Sequence, residues 1–276
     1  MRCSALGAVC DCARGRTPYW RSLVLGAAAL LSSGIAAAQA QISPVVVEFG
    51  PKQRVATVRI VLSEKARGPM RLQVQLLRWT QDLRGEAVTQ PSEDLIVTPR
   101  IADLQPGQQQ VLRLGLRAGL PAQSEMAYRL YLEDIAEPAS VNTGTEGVGV
   151  SFRMAYDLPV MVAPKGAIVK SLRWHSCPAG AVLPRQSSRA SSSNQPDAQA
   201  CVRVFNSGNR RVKVQSLTVA GDGWQQTLSF KEGENILAGD QREWNVPLPV
   251  APAMPAQSVQ LRTVQGETLQ AEAGAF

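Results

Sequence analysis

The sequence has a single histidine among its 276 residues, and aromatic residues make up only 5% of the chain. A metal site built from several imidazoles is therefore excluded, and a general-base mechanism would have only one imidazole available. The sequence also lacks a glycine-rich phosphate-binding loop, a G-x-S-x-G motif and a pair of carboxylates in a catalytic pattern. We therefore expect no enzyme, no metal and no cofactor.

No apolar run reaches the ~20 residues that a membrane-spanning helix needs. The apolar run at residues 23–38 follows three arginines, is interrupted by serines and a glycine, and leads into small residues at Ala38 and Ala40. This pattern predicts a signal peptide over residues 1–40 that is cleaved after Ala40, and hence an exported protein. A retained membrane anchor is the alternative, and the short apolar run disfavours it.

Positive charge is not concentrated anywhere in the remaining chain. The net charge is +7, but residues 1–40 hold four arginines and one aspartate, so removal of this segment leaves +4. The other lysines and arginines are interspersed with acidic residues, without a block of five or six like charges. Nucleic-acid binding is therefore not expected.

Cysteine is scarce, and three of the five cysteines belong to the predicted signal peptide. Cys177 and Cys201 remain, which in an oxidising compartment suggests one disulfide, with two free thiols as the alternative. His175 lies close to Cys177 in strand-like sequence. A Cys/His nucleophile is disfavoured because a bridged cysteine has no thiolate, so we expect His175 to be structural.

Strand patterns dominate from Pro44 onward, while no segment keeps a 3.6-residue apolar period. Short alternating or β-branched runs are separated by turn sequences such as DLRGE, LQPG and LAGD. The pattern starts again after Pro164, with a strand predicted at residues 168–174, and a polar stretch at residues 186–199 interrupts it. These features predict an all-β protein with two immunoglobulin-like sandwich domains in tandem, at residues 41–164 and 165–276, with a cleft between them.

One predicted strand, at the end of the first domain, carries a strict stripe of large apolar residues. The stripe is longer than an ordinary strand of five or six residues, so part of it is expected to extend past the sheet that buries it. An ordinary core strand is the plain alternative. The residues of the stripe are Val148, Val150, Phe152, Met154, Tyr156 and Leu158.

Six segments together resemble the periplasmic pilus-assembly chaperones of the chaperone-usher pathway, and more closely their archaic, non-classical branch. No segment is as specific as a metal motif, but their order and spacing match over nearly all of the chain after residue 40. The segments are ISPVVVEFGPKQRVATVRIVLSE (42–64), DLIVTPRIADLQPGQQQVLRL (94–114), MAYRLYLEDI (126–135), FRMAYDLPVMVAPKG (152–166), VFNSGNRRVKV (204–214) and ILAGDQREWNVPL (236–248).

The resemblance implies a function by donor-strand complementation. A pilus subunit is an immunoglobulin-like fold that lacks its last strand, and a chaperone of this family lends it one. Here the lent strand would be the apolar stripe, which fills the groove of the subunit while its backbone pairs with the open edge. The chaperone would then deliver the subunit to the outer-membrane usher, and the free protein could associate with itself through the same edge.

The resemblance also implies a basic residue that binds the C-terminal carboxylate of the subunit. In the P-pilus branch an arginine and a lysine do so, but the matching positions here fall near Val46 and Pro159, which are not basic. Arg129 is the best candidate because the archaic branch has an arginine there, with Lys165 and Arg153 as weaker candidates. Arg129 alternates with Tyr128, Leu130 and Leu132, so it need not lie in the core of the domain. A planar guanidinium can bind a carboxylate through two parallel hydrogen bonds.

The main alternative is a surface adhesin or a structural pilus component built from sandwich domains. A pilus subunit would be shorter, with a donor extension and an incomplete domain. The strand count of this sequence predicts two complete sandwiches, which favours the chaperone.

Overall fold

The computed structural model describes residues 40–66, 68–117, 123–136, 153–177, 199–248 and 255–276. Within these ranges all regular structure is β, which confirms the predicted fold class. No helix in the described part of the chain has the length and hydropathy to cross a bilayer. The predicted signal peptide lies outside the described residues, apart from Ala40, which begins the first strand.

The first domain is a sandwich of two sheets. One sheet has the strand order β1-β3-β8-β6, and the other has the order β2-β10-β9-β4-β5, with β7 also paired to β4. The strands are β1 (Ala40–Ser43), β2 (Val47–Phe49), β3 (Val55–Leu62), β4 (Met70–Gln81), β5 (Ala87–Pro91), β6 (Leu95–Thr98), β7 (Ile101–Leu104), β8 (Gln109–Leu116), β9 (Met126–Asp134) and β10 (Ala155–Val162).

The second domain has seven described strands in the order β14-β13-β16-β17-β11-β12-β15, and the pairing of β11 with β17 joins its two halves. They enclose a core of their own that includes Trp174, Leu217 and Val246. The strands are β11 (Leu172–Ser176), β12 (Gln199–Asn206), β13 (Val212–Gly221), β14 (Trp224–Ile236), β15 (Gln241–Pro247), β16 (Ala256–Thr263) and β17 (Thr268–Ala273).

Alternation of apolar and polar residues explains why these segments form half-buried strands. In β3, for example, Val58, Ile60 and Leu62 are fully buried, while the residues between them lie on the outer face. A period of two places one face of each strand toward the opposite sheet. The core of the first domain forms in this way between its two sheets.

The first strand segment of the chain changes sheet. Residues 40–43 pair with β3 in one sheet, whereas residues 47–49 pair with β10 in the other. Between them, Val45 and Val46 are exposed, at 71% and 41%. Because of this crossing, the segment pairs with β10 only at residues 160–162.

The two domains are in direct contact. Leu237 of the second domain is buried together with Trp79, Ala127 and Met161 of the first. At the end of β4, the side chain of Gln81 accepts a hydrogen bond from the Leu237 N–H and donates one to the Asn235 carbonyl. Its own N–H donates to Asp240. Apolar burial and hydrogen bonds therefore hold the domains together at this point.

A buried ion pair forms a second contact between the domains. The side chain of Glu125, 3% exposed, accepts a hydrogen bond of 2.7 Å from Nη1 of Arg211, which also pairs with Glu48. Arg210 lies 3.6 Å from the same carboxylate. Burial raises the pKa of Glu125, and this effect outweighs the opposing effects of Arg211 and Arg210.

The predicted turns lie between strands, and Gly85 shows why one of them needs glycine. Its φ of 80° lies in the left-handed region that side chains disfavour. A Cβ atom at this position would also overlap the guanidinium of Arg242, which comes from the second domain. The turn between β4 and β5 is thus part of the domain contact.

Some strands of the second domain differ from the sequence prediction. A strand was expected at residues 168–174, but β11 begins at Leu172, because the chain before it is tied to the turn after β12. There Val169 N–H donates to the side chain of Asn209, and Asn209 N–H donates to the Val169 carbonyl. The final strand, β17, was not predicted from the sequence.

Candidate functional site

Among the described residues, the edge of the second sheet at β10 has no pairing strand over the first half of β10. On one side, residues 155–162 pair with β9 throughout. On the other side, β2 pairs only with Val160, Met161 and Val162. Within the described ranges, residues 155–159 have no strand on this side, because the chain before β2 has crossed to the other sheet.

Two hydrogen bonds show which backbone groups of β10 face the open side. The Met154 carbonyl accepts from the Asp134 N–H at the end of β9, and the Ala163 N–H donates to the Phe49 carbonyl at the end of β2. Backbone groups alternate along a strand, so even-numbered residues hydrogen-bond toward β9 and odd-numbered residues face the open side. Ala155 and Asp157 therefore present N–H and C=O groups there, whereas Pro159 has no N–H to present.

The described half of the predicted apolar stripe shows the expected alternation. Met154 is 42% exposed, Tyr156 is half-buried against the core, and Leu158 is 4% exposed. Ala155 and Asp157, between them, are exposed on the other face. Val148, Val150 and Phe152 lie outside the described residues.

The burial of Leu158 has a simple cause. It pairs with the fully buried Leu130 of β9 and points into the core between the two sheets of its own domain. The exposed apolar side chain that the described part of the stripe offers to a partner is therefore Met154, with Tyr156 partly accessible.

Arg129 lies on the opposite face of β9 from the core, as predicted, since Tyr128 and Leu130 on either side are fully buried. Its guanidinium carbon lies 3.8 Å from the centre of the Trp79 ring, and its Nη1 lies 3.6 Å from Oδ2 of Asp157. Both partners are diagonal neighbours, one on each flanking strand. The Arg129 side chain is 21% exposed.

Within the described ranges, most hydrogen-bond donors of Arg129 have no partner. In the part of the chain that the structure describes, its Nε is buried and has no hydrogen-bond partner. A guanidinium has five N–H donors in a fixed plane. Stacking on Trp79 fixes that plane, so Arg129 is a preorganised cation on the face that meets the second domain, with donors that no described residue occupies.

The other two predicted basic residues are located elsewhere. Lys165 lines a cavity of about 310 Å³ together with Lys52, Arg54 and Arg117. Arg153 is exposed, two residues before β10. The structure therefore does not bring Lys165 or Arg153 into the contacts that surround Arg129.

Sequence reasoning missed Trp79 as the side chain beneath Arg129. Its signal is a break in the alternation of β4, where Leu72, Val74 and Leu76 are buried in the core, but Trp79 is buried on the other face. An aromatic residue out of phase with its strand indicates a second packing surface.

Cys177 and Cys201 form the disulfide, which confirms the suggested pairing. His175 lies at the end of β11, with its ring 4.6 Å from that of Phe276 and its Nδ1 at 2.7 Å from the Ser176 carbonyl. With Cys177 bridged, these two residues cannot form a nucleophile pair.

Comparison with known families identifies the first domain. Residues 39–167 match the family model described as "Pili and flagellar-assembly chaperone, PapD N-terminal domain". Among curated proteins no significant match was found. The first domain of this chain therefore belongs to the pilus-assembly chaperone family.

Solved structures with the same two-domain fold include fimbrial chaperones. One is the complex of CsuC and the tip adhesion subunit CsuE from the archaic Csu pili of Acinetobacter baumannii, with a TM-score of 0.57 and 16% identity, covering 86% of this chain and 100% of that one. Another is the class 5 fimbriae chaperone CfaA, with a TM-score of 0.53 and 15% identity, covering 84% and 98%. At these identities the likeness concerns the fold.

Proposed function

We propose that this member of the pilus-assembly chaperone family binds incomplete pilus subunits by lending them the open edge of β10. The observation that carries the proposal is that residues 155–159 are paired with β9 on one side only, within the described ranges. An open edge of this kind can pair with a strand of a partner through backbone hydrogen bonds. Alternate side chains of the lent strand then enter the groove of the partner.

Side chains next to this edge support the same function. Met154 is an exposed, flexible apolar residue, which adapts to imperfect pockets. Phe152, Val150 and Val148 continue the apolar alternation in the sequence ahead of it. We expect these residues, with part of Tyr156, to fill the groove of the subunit, while Leu158 stays in the core of the chaperone.

The end of the added strand is expected to lie near Arg129. Pro159 has no N–H to offer the added strand, and β2 occupies the edge from Val160 onward. An added strand must therefore stop at about Pro159, whose cross-strand partner on β9 is Arg129. This supports Arg129, ahead of Lys165 and Arg153, as the residue that binds the C-terminal carboxylate of a subunit.

The cellular role follows from this binding mode. Covering an open subunit edge prevents aggregation, and the chaperone would pass the subunit to an outer-membrane usher after export to the periplasm. Removal of residues 1–40 as a signal peptide belongs to the same proposal. The alternative of an adhesin or a structural pilus component is disfavoured by the family of the first domain.

Co-expression with a pilus subunit from the same gene neighbourhood tests the proposal. Met154→Asp and Phe152→Asp should abolish co-purification of the subunit, because a carboxylate cannot enter an apolar groove without a large desolvation penalty. Ile96→Asp is the matched control, since Ile96 is an exposed apolar residue, at 52%, on a strand of the other sheet. Unchanged recovery with both edge variants would contradict the proposal.

A further inference from the structure

Asp157 is the ion-pair partner of Arg129, and it belongs to the open edge itself. The two side chains approach to 3.6 Å, which is longer than a hydrogen bond, and the Asp157 side chain is 50% exposed. Half-exposed pairs of this kind contribute little to stability, because water screens the charges and holding two side chains together costs entropy. Asp157 can therefore turn into solvent without a large penalty.

The contact does not satisfy the guanidinium. Nε of Arg129 has no hydrogen-bond partner within the described ranges, although it is buried. The ring of Trp79 holds the guanidinium plane in place. A carboxylate that approached in this plane could accept two parallel hydrogen bonds, a stronger contact than the one that Asp157 makes.

We infer that Asp157 is a placeholder carboxylate, which occupies Arg129 in the free protein and is displaced by the carboxylate at the end of an added strand. The inference rests on the proposed function, and it adds that the Asp157 carboxylate competes with the subunit carboxylate for Arg129. The position of Asp157 supports this, because its backbone faces the open side while its side chain lies beside the guanidinium. A strand that pairs along residues 155–157 brings its terminus to the same place.

The placeholder would discriminate between partners. An added strand that ends in a neutral group cannot replace Asp157 at Arg129, so it gains only the backbone pairing. A strand that ends in a free carboxylate exchanges a weak pair for a bidentate one. Asp157 also repels an incoming carboxylate until it turns away, so removing its charge should favour carboxylate-ended partners only.

The test uses two synthetic peptides of seven alternating threonine and valine residues, one with a free C-terminal carboxylate and one with an amide. Binding is measured by calorimetry to the whole mature protein and to three variants: Asp157→Asn, Arg129→Gln and the control Asp103→Asn. Asp103 is also an exposed aspartate, paired with Arg71 at 3.5 Å away from β10. Circular dichroism confirms that each variant is folded.

We expect Asp157→Asn to bind the carboxylate peptide about three- to tenfold more tightly than the wild type, and the amide peptide equally. Arg129→Gln should abolish the difference between the peptides, and Asp103→Asn should change neither affinity. Equal affinities of wild type and Asp157→Asn for the carboxylate peptide, or weaker binding by the variant, would overturn the placeholder while leaving edge binding intact. Failure of every protein to bind either peptide would overturn the proposed function together with this inference.

Discussion

The side-chain oxygen of Gln81, at the end of β4, accepts a hydrogen bond of 2.9 Å from the backbone N–H of Leu237 in the other domain. The amide nitrogen of the same side chain donates to the Asn235 carbonyl at 3.1 Å. One glutamine therefore satisfies backbone groups of the turn that packs against Trp79 and Met161. This contact links the two domains, and Arg129 lies on the same sheet face as Trp79 and Met161.

Gln81→Ala should lower the free energy of unfolding by about 1–3 kcal/mol, because it leaves the Leu237 N–H without this partner in a partly buried contact. Urea denaturation followed by fluorescence measures the change. Gln90→Ala is the control, since Gln90 is exposed on β5. Equal stability of the two variants would mean that the Gln81 contact is dispensable.

Glu125 makes the stability of the protein dependent on pH. Its folded-state pKa is raised from 4.5 by burial, so its contribution to stability is fully present below about 4.5 and is lost as pH rises through the folded-state value. Relative to Glu125→Gln, the wild type should therefore be most stable at acidic pH and lose this advantage toward neutrality.

Thermal unfolding of both proteins in a series of buffers from acidic to neutral pH checks the Glu125 prediction. Glu93→Gln is the matched control, because the Glu93 side chain is 79% exposed and pairs with Arg117 at 3.5 Å. A stability difference between wild type and Glu125→Gln that stays constant over the series, or that grows in favour of the wild type toward neutrality, would contradict the prediction.

The Cys177–Cys201 disulfide closes a segment with a sequence separation of 24 residues. Replacing both cysteines by alanine should lower the free energy of unfolding by about 3 kcal/mol, because the disulfide no longer restricts the conformational entropy of the unfolded chain. Chemical denaturation of the oxidised wild type and the double variant measures this. Intact mass after alkylation provides the check, since two modified thiols in the unreduced wild type would reject the bridge.

Arg129→Ala should reduce the recovery of a co-expressed pilus subunit at least tenfold, whereas Arg153→Ala should change it little. Arg129 stacks on Trp79, and its Nε has no hydrogen-bond partner among the described residues, whereas Arg153 is exposed ahead of β10. Subunit recovered per amount of chaperone, on a stained gel, is the measurement. Equal losses in the two variants would move the carboxylate anchor away from Arg129.

Much of the fold could be predicted because alternation with a period of two is a local property of the sequence. Tyr128, Leu130 and Leu132 were assigned to one face and Arg129 to the other, and burial follows this assignment. Local pattern fails at residues 168–171, where β-type sequence is held outside a strand by Asn209, a residue some 40 positions away. Such a contact leaves no periodic signal.

The candidate site was only partly predictable for a related reason. The sequence marks the apolar stripe, but it does not say which of its residues remain in the core of the chaperone. Leu158 is buried because β9 and the opposite sheet cover it, whereas Met154, one residue before the same strand, is exposed. The difference in burial between Leu158 and Met154 depends on how far the neighbouring strands extend along β10.

The sequence by itself determined the all-β class, the tandem sandwiches and the cysteine pair, because each follows from local pattern or composition, while Arg129 became a candidate through the family resemblance. Tertiary structure decided that β2 covers β10 only from Val160 onward, that Trp79 stacks on Arg129, and that Asp157 reaches the same guanidinium. The physical reason is that an open edge and its neighbours arise from strand pairing between segments far apart in the chain, and pairing partners are not encoded in either segment alone.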